Sequence, residues 1–204
     1  MGQYSYYLGT EEDREEGWKT CVQKMMKERV GFLRDSIWDT YGHEKEDIQE
    51  SFYQAVTGGI DQVLGQMEKG QKKPIRYIHV SYLLSSALSG EMLVKLDFYD
   101  ENYFSNICDT DCYWDYHLLF PEYAGALAGL EERLYAEVVR LTSHELQRAR
   151  LYYQVCNFMA LEEVIRKLVK TEHFQACIRP CSESVVSILY GAYLDQAELI
   201  YEVG

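Results

Sequence analysis

The sequence predicts an α+β fold, predominantly α-helical, with about five main helices and one central antiparallel β-hairpin. Three observations carry that reading. Apolar residues recur at helical spacing before residue 69 and after residue 121, alternation of period two occupies residues 75 to 99, and a Gly–Pro punctuated linker separates the two regimes at 70 to 74. The chain divides into a helical pair (10–69), the hairpin (75–99), an aromatic and acidic segment (100–120) and a second helical region (121–204), all within a single domain (1–204).

Taken in order, Tyr4, Tyr6 and Leu8 share one face if residues 3 to 8 are extended, as a short strand or an ordered arm. Thr10 with Asp13 reads as a variant capping box, with acidic residues filling the first turn. Trp18, Val22, Met25, Met26, Val30, Leu33 and Ile37 then follow at helical spacing, and Gly42 is expected to end the helix in the left-handed conformation. A second stripe runs through Ile48, Phe52, Val56, Ile60, Val63, Leu64 and Met67. Gly58 and Gly59 within it predict a kink or a close helix contact. Gly70 to Pro74 is a linker, and the basic run Lys69 to Lys73 with Arg76 reads as solvated chain.

The hairpin follows. Ile78, Val80, Tyr82 and Leu84 alternate with Tyr77, His79, Ser81 and Leu83; after Ser85 to Gly90, Met92, Val94, Leu96 and Phe98 alternate with Leu93, Lys95, Asp97 and Tyr99. The second run predicts a half-buried strand with Lys95 and Asp97 facing water. Two strands alone are marginal, so they must pack on helices, gain a third strand or pair across a dimer. Helix resumes at Pro121 and runs to about Leu141. Thr142 and Glu145 form a capping box that starts another helix, running to about Lys170, unless one long helix passes through that point. Pro180 and Ser182 are read as opening a last helix bearing Val185, Val186, Leu189, Tyr193, Ala197 and Ile200.

Composition narrows the function classes. Hydrophobic residues at 47% and charged residues at 26% describe a globular chain rather than a disordered one. A formal net charge of −13 repels phosphate backbones and anionic lipids, so neither a nucleic acid nor a membrane is expected as a partner. The N-terminus carries no basic region followed by an apolar core, and the expected location is cytoplasmic. In that compartment the six cysteines need not form disulfides, and Cys21 and Cys156 read as small buried hydrophobes.

No motif forces a chemistry. Nucleotide-binding glycine motifs, the nucleophile elbow and the zinc-protease helix are absent, and no histidine has a Glu three residues before it. Asp109, Asp111 and Asp115 mimic calcium-loop positions, but Trp114 and Phe120 stand where Gly and Glu are required. Cys108 with Cys112 and Cys177 with Cys181 have zinc-ligand spacing, although Asp109 and Asp111 disfavour thiolate beside them. Cys181 is also a candidate nucleophile, because Arg179 and a following helix start would both favour its thiolate. Such a metal- or thiol-dependent enzyme is the alternative reading, beside the plainer one of unpaired thiols. Ser85, Ser86 and Ser89 read as turn formers, and His79 as a structural hydrogen-bonder.

The leading reading is a binding or regulatory module that needs no cofactor and no metal and is not an enzyme. The chain holds eighteen tyrosines, three tryptophans and seven phenylalanines, with rings densest around residues 98 to 123, beside Asp100, Asp109, Asp111, Asp115 and His117. The candidate ligand-binding residues are Tyr99, Tyr103, Tyr113, Trp114, Asp115, Tyr116 and His117, against which a small-molecule ligand or protein partner would be held. The bland counterpart is that these rings cover the hairpin and fill core. A homodimer is expected to use the hairpin edge or the smooth surface at Gly125 and Gly129.

Overall fold

A computed structural model of the chain describes residues 11–103, 110–193 and 196–204. The possible arm at 3 to 8, with Phe104, Cys108 and Asp109, lies outside the described residues.

Helix α1 (Glu11–His43) opens on Glu11, Glu12 and Asp13, whose charges complement the helix dipole, and buries Trp18, Val22, Met25, Arg29, Leu33 and Ile37 as one stripe. Val30, placed in that stripe by the sequence, is instead exposed. Gly42 stays within α1 rather than stopping it in the left-handed region; among the described glycines that region is reserved for Gly70 and Gly90. Helix α2 (Lys45–Glu68) follows almost directly and buries Ile48, Phe52, Val56, Gly59, Ile60 and Val63. The linker after Gly70 is less solvated than its composition implies, since Lys72 is buried and Lys73 pairs with Glu101.

Strands β1 (Tyr77–Tyr82) and β2 (Leu93–Tyr99) pair antiparallel, joined through the short helix α3 (Leu84–Ser89), which Gly90 closes with a left-handed cap at φ 79°. The expected hairpin is therefore part of something larger. Strand β3 (Tyr113–Asp115) adds to β2, and β4 (Val186–Ala192) and β5 (Ala197–Val203) complete a mixed sheet in the order β3-β2-β1-β4-β5. The last predicted helix is thus a hairpin, with β4 parallel to β1. The reason is local and tertiary together. Val186, Ile188 and Tyr190 also fit a period of two and are all buried, while the second edge of β1 needs a strand to satisfy its backbone. At Gly191 a Cβ would stand 2.3 Å from the Gln196 carbonyl oxygen, so only glycine fits the closing turn.

Helix α4 (Tyr123–Glu137) ends earlier than expected, and Arg140 turns the chain at φ 58°. The capping box is present: Thr142 N–H donates to Glu145 Oε2 at 2.8 Å and Glu145 N–H to Thr142 Oγ1 at 3.2 Å. Helix α5 (Ser143–Leu168) is therefore a separate helix, followed by short α6 (Glu172–Ile178), which Thr171 caps.

One face of the sheet carries the apolar set and receives the helices. Phe52 of α2 meets Trp114 edge-on at 5.0 Å between centroids, and Phe158 of α5 stacks on Tyr190 at 4.2 Å. Buried apolar side chains from Trp18 to Val203 join in one core, Cys21 and Cys156 among them. Among the described residues no helix is long and apolar enough to cross a membrane.

The two adjacent glycines of α2 part company here. A Cβ on Gly59 would lie 2.3 Å from Phe98 Cε2 and 3.2 Å from Cys112 Sγ, whereas one on Gly58 meets nothing within 4 Å. The close contact is with the sheet, not with another helix. Gly59→Ala is expected to destabilise by about 1–3 kcal/mol through overpacking, and Gly58→Ala to stabilise by about 0.5–1 kcal/mol through helix propensity, both read by urea unfolding.

Candidate functional site

The other face of the sheet carries a polar cluster on β1 and β2, flanked by Leu93 of β2 and Leu189 of β4. Strand register sets His79 opposite Asp97, Ser81 opposite Lys95, and Lys95 opposite Tyr113. None of the first four reaches water freely: His79 and Ser81 are 0% exposed, Asp97 1% and Lys95 5%. This corrects the expectation that Lys95 and Asp97 face solvent. Strand β2 lies between β1 and β3, and both of its faces are covered, so side-chain alternation no longer separates inside from outside.

Lys95 Nζ lies 2.8 Å from Asp97 Oδ1 and 3.2 Å from the Tyr193 hydroxyl, with the Tyr193 ring centroid 4.6 Å away. Two charges taken out of water persist only when each has the other, with further polar contacts around them. His79 and Ser81 are held differently. Among the described residues neither imidazole nitrogen of His79 has a hydrogen-bond partner, and neither has Ser81 Oγ. This departs from the structural hydrogen-bonding role expected of His79. Burial lowers its pKa to about 4, so near neutral pH the ring is uncharged, with one N–H donor and one lone-pair acceptor.

Tyrosines rim this floor. Tyr99 continues the face of Lys95 and Asp97 and stands opposite Tyr77; the Tyr103 ring packs at 4.8 Å from Tyr99 and 5.0 Å from Tyr77. Tyr103 takes φ 48°, a conformation rare for a bulky residue. Burial, reinforced by Tyr77 and Asp97, raises its hydroxyl pKa. Tyr113 is 44% exposed beside Lys95, and Tyr193 approaches from the end of β4.

The seven residues singled out from sequence are therefore not one site. Tyr99, Tyr103 and Tyr113 belong to the polar face. Trp114 and Tyr116 are core on the helical side: Trp114 Nε1 donates to Ser51 Oγ at 3.0 Å, and the Tyr116 ring meets Phe120 at 5.8 Å. Asp115 and His117 form an exposed pair, with Oδ1 3.0 Å from Nδ1. The cluster of His79, Ser81, Lys95, Asp97 and Tyr193 escaped sequence reasoning. The available signal was a Lys and an Asp on the same face of one strand opposite a Ser and a His on its neighbour.

The thiols are built for burial. Cys112 donates to the Ala55 carbonyl at 3.0 Å and Cys181 to the Ile178 carbonyl at 3.1 Å; burial pushes their thiols up to about 11 and about 12. No helix follows Cys181 to favour its thiolate, because the next element is β4. Cys177 is half-buried beside Thr57. Among the described residues no group of three or more His, Cys, Asp or Glu is placed to hold a metal ion. Ser, His, Lys and Asp on the polar face are the residue types of acyl transfer, but Ser81 Oγ bonds to neither His79 nor Lys95, so no base addresses it. Compared with known proteins, the chain matches no protein family, no curated protein and no solved structure.

Two outcomes follow from this geometry. Lys95→Met alone should cost about 3–5 kcal/mol by stranding Asp97, and Lys95→Met with Asp97→Leu should recover most of it, as read by chemical denaturation. The pKa of His79 is lower folded than unfolded, so the unfolded state binds the extra proton between about 6.5 and 4, and stability falls as pH drops through that window. The loss should reach about 2 kcal/mol near pH 5 and disappear in His79→Leu.

Proposed function

We propose that this protein is a non-catalytic, cytoplasmic binding module whose ligand site is the polar face of the sheet. The observation that carries the reading is the pairing of His79 and Ser81, fully buried and without partners, beside a self-neutralising Lys95–Asp97 pair. Leaving a buried donor or acceptor unsatisfied costs about 1–3 kcal/mol, so such groups call for an occupant that satisfies them, a bound molecule or ordered water. The chemistry of the floor selects the ligand. A neutral imidazole and a hydroxyl offer donors and acceptors without net charge, and the Lys95–Asp97 pair cancels its own. Tyr77, Tyr99, Tyr103 and Tyr193 add flat amphipathic surface around them. An uncharged, hydroxylated or heterocyclic small molecule fits that combination better than an ion does.

A cytoplasmic setting is supported by the cysteines, since all five of those described are free thiols. The test is ligand-observed NMR against a library of uncharged polyols and heterocycles, followed by affinity measurements on His79→Leu and Ser81→Ala. Binders should lose about tenfold or more in each folded variant. Affinity that survives both substitutions, or a library without binders at millimolar concentration, would defeat the assignment.

A further inference from the structure

A second site lies on the helical side, away from the sheet's polar face. Between α1 and α4 the fold leaves a cavity of about 350 Å³ whose walls include Met25, Phe32, Ala126, Gly129, Leu130 and Tyr153. At it stands Arg29, a cation on the inner stripe of α1 and only 4% exposed. Its Nε donates to Asn157 Oδ1 at 2.9 Å, and its Nη1 lies 2.7 Å from Glu122 Oε1. Among the described residues its Nη2 makes no close hydrogen bond, and neither does Asn157 Nδ2 behind it. The guanidinium is further held against the Phe32 and Tyr153 rings, 5.5 and 5.2 Å from their centroids.

We propose that this cavity binds an organic carboxylate with an apolar body, through a two-pronged contact on Arg29. An arginine fork matches a carboxylate when two parallel N–H groups meet its two oxygens, and Glu122 reaches Nη1 but not the buried Nη2, which lies on the Tyr153 side. Glu122 is also poorly anchored. Its side chain is 37% exposed, and although it precedes the first turn of α4 it makes no capping bond there. It can withdraw to water and yield both nitrogens to an incoming acid. The neighbouring Arg133 is already matched by Glu28 at 2.7 Å, so the exchange leaves one ligand carboxylate on one buried cation. Behind that head group, Met25, Leu130 and Phe32 supply apolar wall, and Gly129, where an added Cβ would meet nothing within 4 Å, keeps the space open.

Isothermal titration calorimetry with sodium octanoate, and with octan-1-ol as the uncharged control, tests the site on the intact protein. Octanoate should bind with a dissociation constant on the order of 1 mM or tighter, and octanol about tenfold more weakly or not at all. Glu122→Gln removes the competing carboxylate and should tighten octanoate severalfold without helping octanol. Gly129→Leu fills the cavity and should abolish octanoate binding while its thermal midpoint holds or rises. Octanol binding as tightly as octanoate, no binding of either, or octanoate binding retained in Gly129→Leu would each overturn the proposal.

Discussion

The fold turns on one constraint: strands β1 and β2 are enclosed on both faces, so the polar side chains on their second face are taken out of water. Lys95 and Asp97 meet it by pairing with each other across 2.8 Å, and Tyr193 shields the ammonium. The same enclosure leaves His79 and Ser81 without partners. An ion pair of this kind adds little net stability over a well-packed apolar pair, yet it fixes strand register, because a one-residue slip would drive both charges into the apolar face.

The helical side depends on that register. With Ile78, Val80, Leu96 and Phe98 directed toward the helices, Phe98 comes close enough to α2 that Gly59 can carry no side chain. Trp114, one strand further out, then meets Phe52. The aromatic density of the chain is thereby divided between two tasks. Trp114, Tyr116, Phe120 and Tyr123 make core between the sheet and the helices, while Tyr77, Tyr99, Tyr103 and Tyr193 edge the polar floor. Of the three buried cations among the described residues, Lys95 and Arg29 stand beside aromatic rings, which offsets part of their lost hydration.

Much of the α+β architecture was legible in the residues. The stripes of α1 and α2, the Thr142–Glu145 box and the alternation of β1 and β2 all follow from local periodicity and capping, and all are present. What local pattern could not show was pairing. Residues 186 to 200 satisfy a helical stripe and a strand alternation alike, and the free edge of β1 decides between them. For the same reason Lys95 and Asp97 looked solvent-facing: alternation marks two faces but does not say that both are covered. The ring-rich segment was legible as aromatic surface, but which rings are core depends on the face of β3 to which each belongs, so Trp114 and Tyr113 part at adjacent positions.

The proposed function places a small molecule over the buried polar groups of β1 and β2, between the strands and the tyrosines. The most direct measurement of that claim is a crystal structure of protein purified gently from cells, at a resolution that shows water. Density for a bound organic molecule hydrogen-bonded to His79 and Ser81 is the expected result. Ordered water alone at both residues, or a side chain of this same chain hydrogen-bonded to both, would contradict it.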